Sequence, residues 1–123
     1  LKVQVVRSDT EGIEMKFVPQ NIAIILDNVV SNSTKYNANE LRVLLGKDEK
    51  QYTIDFIDDG DGVSSDIADL NELFEFGKGY TLTGTGVGLY HIKDIVEKDL
   101  QGTVTIESEP QKGFALHVRF GKV

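Results

Sequence analysis

Gly84, Gly86 and Gly88 alternate with Thr85 and Val87, and Leu89 follows at the start of a helical pattern. Glycine lets backbone approach a ligand closely, and the first N–H groups of a helix point outward, unpaired and partly positive. Backbone of this kind suits phosphate. The spacing is GxGxG with no tight strand before it, so it is not the dinucleotide-binding fingerprint. No Gly-Lys-Ser/Thr completes a Walker loop either. A glycine cluster also serves as a plain flexible turn, so the chemistry needs partners elsewhere in the chain.

Two other segments offer them. Asp58-Asp59-Gly60-Asp61-Gly62 closes a strand-like run. Calcium fails there in both registers of the EF-hand loop: with the glycine at Gly60 the third ligand would be Ile57, and with it at Gly62 the loop would begin at Ile57 and end at Ala68. A carboxylate between a strand end and glycines is better suited to accept a hydrogen bond from the amino group of a flat ligand. Asn28, Asn32 and Lys35 fall at i, i+4 and i+7, one stripe of a helix. Asparagine is a poor interior helix residue, so two of them joined by a lysine read as a polar site facing a cleft, against the plainer reading of a solvated face.

The elements that must position these residues follow from periodicity. Leu1, Val3 and Val5 alternate with Lys2 and Gln4, the period of a half-buried strand; Ser8–Gly12 is turn chemistry and Ile13 to Val18 reads as a returning strand. Pro19 suits a first helical turn. Ile22, Ile25, Leu26, Val29 and Ser33 then predict an amphipathic helix over 19–35. Strands are expected near 40–46 and 51–58, joined by the polar turn Lys47–Lys50. A short helical stretch is expected around 66–73, and a helix from Val87 to Lys98 with Leu89, Ile92, Ile95 and Val96 on one side. Thr103–Ser108 and Phe114–Phe120 alternate as a closing hairpin. Strand runs with helices set between them favour an α+β two-layer sandwich, with a mostly antiparallel mixed sheet and its helices on one face. The weakly patterned stretch of about 30 residues from Asp58 to Gly88 is expected to be functional, since structureless loops of that length are otherwise uncommon.

Composition narrows the classes. The 123 residues are expected to form one domain, 40% hydrophobic and 27% charged, with no cysteine for disulfides or thiolate metal sites. No apolar run reaches the ~18 residues of a spanning helix. The chain opens on Leu1, which reads as a fragment of something longer; the expected location is the cytoplasm, with membrane anchoring of the parent protein left open by this sequence. Residues 48–75 carry ten acids against Lys50 alone, so that window holds −9 of a net −7 and the remainder is +2. An acidic surface argues against nucleic-acid partners and against direct contact with anionic lipid. Seven of the twelve glycines lie between residues 60 and 88, which places the excess in the segment that lacks regular pattern.

Taken in order, these segments resemble one family. Asn28-x-x-x-Asn32-Ser33-x-Lys35-Tyr36 is similar to the N box of sensor histidine kinases, Asp58–Gly62 to their DxGxG box, Phe74-Glu75-Phe76 to the F box and Gly84–Leu89 to the GxGxGL box. The likeness continues through Ile95-Val96-Glu97, Gly102-Thr103-Val104 and Ile106-Glu107-Ser108, and so spans nearly the whole chain. It resembles the GHKL (Bergerat-fold) ATP-binding domain, and the fold implied is the two-layer sandwich above with a lid loop over the nucleotide.

The resemblance implies roles. Asp58 would accept from the adenine amino group, with Gly60 and Gly62 leaving room for the base. Asn32 would hold Mg²⁺, with Asn28 supporting it. Lys35 would face the phosphates and Tyr36 the base or ribose. Gly84, Thr85, Gly86, Val87, Gly88 and Leu89 would form the cradle, and residues 76–85 a mobile lid from which Lys78 reaches the γ-phosphate. Asn28, Lys35 and Lys78 are the catalytic candidates. The implied activity is transfer of that phosphoryl group from Mg·ATP to a histidine on a separate phosphoacceptor domain, dimeric in the full protein, with a response regulator downstream. The alternatives are an ATP-driven clamp of the gyrase, MutL or heat-shock chaperone kind, and a nucleotide-sensing module with little turnover. Clamp relatives place a glutamate four residues before the magnesium asparagine; here that residue is Asn28. Other departures are Ser33 for the usual alanine, Asp61 inside the DxGxG box, a short lid without arginine, and Gly113-Phe114 where Gly-Thr is usual. His91 and His117 are expected to be structural or surface residues.

Overall fold

A computed structural model describes residues 1–7, 19–62, 74, 88–108 and 112–121. Within them the order is β1 (Lys2–Arg7), α1 (Pro19–Lys35), β2 (Glu40–Lys47), β3 (Gln51–Asp58), α2 (Gly88–Asp94) continued by a π-helical turn (Ile95–Asp99), β4 (Thr103–Ser108) and β5 (Phe114–Gly121). The strands form one sheet in the order β1-β2-β3-β5-β4. β1 runs parallel to β2 and every other pair is antiparallel, which is the mixed α+β arrangement the sequence predicts. The expected returning strand over 13–18 and the short helix around 66–73 lie outside the described residues.

The helical layer covers one face of the central strands. Ile25 and Val29 of α1, and Ile92 and Val96 of the second helical segment, bury against Leu41, Val43, Ile54, Phe56, Leu116 and Val118. Those residues alternate along their strands, so period 2 in the sheet meets period 3.6 in the helices. On the opposite face, Asp55 of β3 accepts from Arg119 Nη1 at 2.8 Å, and His117 Nδ1 lies 2.6 Å from the same carboxylate oxygen. These pairs link β3 and β5 side by side, and they give His117 the structural place expected of it; His91 is exposed on α2.

Three local expectations are corrected. β1 is a strand but not a half-buried one: Leu1, Val3 and Val5 are 48, 43 and 61% exposed. The register puts Val3 and Val5 opposite Leu41 and Val43, hence on the helix-facing side. Among the described residues, however, β1 is the outermost strand of the sheet, and no residue of it enters the buried core. Leu26 is likewise exposed, lying off the stripe that Ile25, Val29 and Ser33 bury. The helix expected to run from Val87 to Lys98 widens after Asp94 into the π turn, where the Leu100 N–H donates to the Ile95 carbonyl at 3.2 Å. Beyond it Gln101 takes a left-handed φ of 54°, and the Gly102 N–H reaches back to the Val96 carbonyl at 2.9 Å, tying the helix end to the start of β4.

Gly102 also passes flush against β5. A β-carbon there would strike the backbone carbonyl of Arg119 and crowd Phe120 Cβ at 2.9 Å. Gly102→Ala should therefore cost at least about 2 kcal/mol, since backbone cannot swing aside as a side chain can. Gly121→Ala meets nothing within 4 Å and should stay within about 0.5 kcal/mol of the parent. Urea unfolding of the two variants checks both values, and equal stabilities would refute the packing account.

Candidate functional site

The site begins at the C-terminal half of α1. Asn28 and Asn32 are half-buried on one side of the helix, and Lys35 is exposed at its last turn. The shared stripe expected from their spacing is present. Asn28 Nδ2 donates to the Ile24 carbonyl at 2.9 Å, so this amide is turned back onto its own helix. The Asn32 side chain has no hydrogen-bond partner among the described residues, which leaves its amide oxygen available to a ligand.

α1 ends in a tight exit. Tyr36 N–H donates to the Asn32 carbonyl at 3.1 Å, Asn37 takes a left-handed φ of 63°, and Ala38 N–H returns to the Ser33 carbonyl at 3.0 Å. Asparagine tolerates that conformation better than most residues. Tyr36 is half-buried, and burial raises its phenol above the usual value, so it stays a neutral hydroxyl.

The Asp58–Gly62 turn is bound to this exit at every acid. Asp58 is 6% exposed; its Oδ2 accepts from Ser33 Oγ at 2.8 Å and its Oδ1 from the Gly60 N–H at 3.0 Å. Asp59 Oδ1 accepts from the backbone N–H groups of Asn39 (2.8 Å) and Glu40 (3.0 Å). Those bonds, Glu40's first, hold the Asp59 carboxyl below the usual range. The sign follows: a depressed carboxyl adds stability above its ordinary pKa, and the gain is lost as pH falls through the lowered value. Asp61 Oδ2 accepts from Asn37 Nδ2 at 2.7 Å while the Asp61 N–H donates to the Tyr36 carbonyl at 2.8 Å.

Glycine is required where these chains meet. A β-carbon on Gly60 would lie 2.6 Å from the Tyr36 carbonyl oxygen, so Gly60 serves the closure of the turn onto α1. Gly62 has φ 73°, which side chains rarely adopt. Gly113 has φ 85°, and a β-carbon there would strike the Asp58 carbonyl. A cavity of about 560 Å³ opens beside Asp58, reaching Ser108, Lys112, Gly113 and Phe114 at the strand ends; neither Asn28 nor Asn32 lines it.

On the other side, Gly88 opens α2 and Leu89 packs partly buried against the core. Phe74 is buried, with Lys93 Nζ 5.3 Å from its ring centroid. Lys78, Gly84, Thr85, Gly86 and Val87, and the expected lid over 76–85, lie outside the described residues.

Sequence reasoning missed Ser33, Asn37, Asp59 and Gly113. Ser33 did leave a signal: a hydroxyl on the apolar stripe of α1 needs a buried partner. Asn37 and Gly113 carry only the weaker hint of residues that accept positive φ. Nothing local distinguishes Asp59 from its acidic neighbours.

Comparison with known proteins shows the fold and the family. The nucleotide-free catalytic domain of histidine kinase ThkA superimposes in one crystal form with a TM-score of 0.77 at 17% identity, covering 98% of this chain and 80% of that one. A second form gives 0.78 at 16% identity, covering 98% and 78%. At such identities the likeness is one of fold. Among curated proteins no sequence match reaches significance. Residues 17–122 match the family described as histidine kinase-, DNA gyrase B- and HSP90-like ATPases, which takes in most of the chain and both halves of the site. The chain belongs to this family of ATPase domains.

Proposed function

We propose that this domain binds Mg·ATP and passes its γ-phosphoryl group to a histidine on a separate phosphoacceptor domain of a dimeric sensor kinase, with a response regulator as the next acceptor. The 123 residues would form the catalytic domain alone. The observation that carries the choice is Asn28. It stands one helical turn before Asn32, where a water-activating acid would be needed for hydrolysis, and it is an amide bonded to the Ile24 carbonyl. An amide cannot take a proton from water. Phosphoryl transfer to an incoming nucleophile asks instead for positioning and charge neutralisation.

On this reading Asp58 accepts from the exocyclic amine of adenine with the lone pairs that Ser33 and Gly60 leave free. Tyr36, a neutral phenol beside the same turn, contacts the base or ribose. The Gly84–Leu89 segment receives the phosphates on backbone N–H groups, and Lys35 and Lys78 neutralise charge. Asn32 fits a magnesium role, since Mg²⁺ keeps its waters, takes phosphate oxygens and needs only one or two protein ligands. Bound there, the ion would lower the charge on the transferring phosphoryl group. Asn28 takes no part in hydrolysis chemistry and supports Asn32 from the preceding turn of the stripe.

Three measurements test the reading. At about 100 times its dissociation constant, Mg·ATP should add ~2.7 kcal/mol, raising Tm by roughly 10 °C, while the isolated domain shows no steady ATP hydrolysis; no shift refutes nucleotide binding, and sustained turnover favours the clamp class. Asp58→Asn should weaken ATP at least about tenfold, because a charged acceptor worth ~1.5–3 kcal/mol is lost; unaltered affinity would mean that the base is recognised elsewhere. Asn32→Ala should abolish the gain in ATP affinity that Mg²⁺ confers while binding in EDTA changes less than about threefold, a difference that titration in the two buffers reads directly.

A further inference from the structure

The buried stripe of α1 contains a hydroxyl, and its partner is the carboxylate assigned to the base. Ser33 is 1% exposed, one turn beyond Val29, and its Oγ lies 2.8 Å from Asp58 Oδ2. The other oxygen, Oδ1, takes the Gly60 N–H. Phe114, directly across from Asp58 in the β3–β5 register, carries no donor. Among the described residues, therefore, Ser33 is the side chain that donates to Asp58. The two donors come from different elements, one on each oxygen, so they fix both the rotation of the carboxylate and its depth below the surface. An ionised carboxylate has about four acceptor positions. Two are occupied here, and those left open have their direction set by the two that are filled.

We propose that Ser33 is a positioning residue that makes the site select a purine bearing a 6-amino group, by holding the Asp58 carboxylate in the orientation that accepts from that amine. The proposal rests on the nucleotide reading given above. Without the hydroxyl, a carboxylate that is 6% exposed keeps a single donor, on Oδ1, and its free oxygen turns toward whatever water or N–H is nearest. Its alignment with an incoming amine is then lost, although the negative charge remains. A merely structural Ser33 would behave differently. Its removal would loosen the contact of α1 with the turn and weaken every nucleotide to the same extent.

Two ligands separate these cases: ATP, and purine riboside triphosphate, which has the same ribose and phosphates but no 6-amino group. Dissociation constants for both, with Mg²⁺ present, are measured by calorimetric titration for the parent domain and for Ser33→Ala. ATP should weaken about tenfold, the scale of one hydrogen bond to a charged group. The purine analogue should change less than about twofold, so the preference for the amine falls about tenfold. Ser33→Cys, which nearly conserves the volume and offers only a weak S–H donor, should lose the same preference, and it carries the comparison if Ser33→Ala does not melt cooperatively. Equal weakening of both ligands overturns the proposal, as does an unchanged preference in the variants. A parent domain that binds neither ligand overturns the nucleotide reading and this inference with it, whereas a parent that binds ATP with a preference indifferent to Ser33 overturns this inference alone.

Discussion

The carboxylate of Asp58 is buried between a helix and a sheet, and a charge in that position must be met by donors or it destabilises the fold by several kcal/mol. Ser33 and the Gly60 N–H meet it. Much of the neighbouring geometry follows from that requirement. α1 must approach β3 closely enough for a serine hydroxyl to span the gap, and the chain after Asp58 must fold back at once to bring an N–H to the other oxygen. Both conditions draw the end of α1 and the end of β3 into one joint. Glycine at positions 60 and 113 lets the backbones pass at the distance the joint imposes.

The neighbouring acids complete the joint in distinct ways. Asp59 ties down the N–H groups that lead into β2, and Asp61 engages the left-handed Asn37 at the exit of α1. Three carboxylates within four residues would repel one another if they faced a common space. Each has its own donors instead, so the acidic turn acts as a clamp on the polar end of the helix. The charge of the 48–75 window thus acquires a structural meaning for part of its length. A domain of net charge −7 can still hold a polyanion, provided that the acids near the site are engaged and backbone N–H groups, a metal ion and lysines face the phosphates.

Shared fold at 16–17% identity fits this division. Core positions tolerate many apolar sequences if volume and pattern are kept, whereas the joint around Asp58 depends on particular donors and on glycine. It is there that this chain departs from the usual boxes, at Ser33 and Asp61, and each departure has a hydrogen-bond partner in the structure.

Periodicity and residue chemistry by themselves determined a great deal. The helix over 19–35, the strands 40–47, 51–58, 103–108 and 114–121 to within a residue, and the stripe of Asn28, Asn32 and Lys35 are local properties, set by side chains a few positions apart. The same patterns could not show whether a face is covered. Alternation places Val3 and Val5 on one side of β1, yet in the folded structure both stand exposed. Nor could they foresee the π turn over Ile95–Asp99 or the close passage of Gly102 against β5. Residue types and spacing alone showed that a carboxylate, an amide stripe and glycine-rich sequence were present, the set on which the proposed nucleotide chemistry draws. Which donors hold that carboxylate was decided by tertiary structure, because Ser33 and Asp58 stand 25 residues apart and become partners only when α1 packs on the sheet.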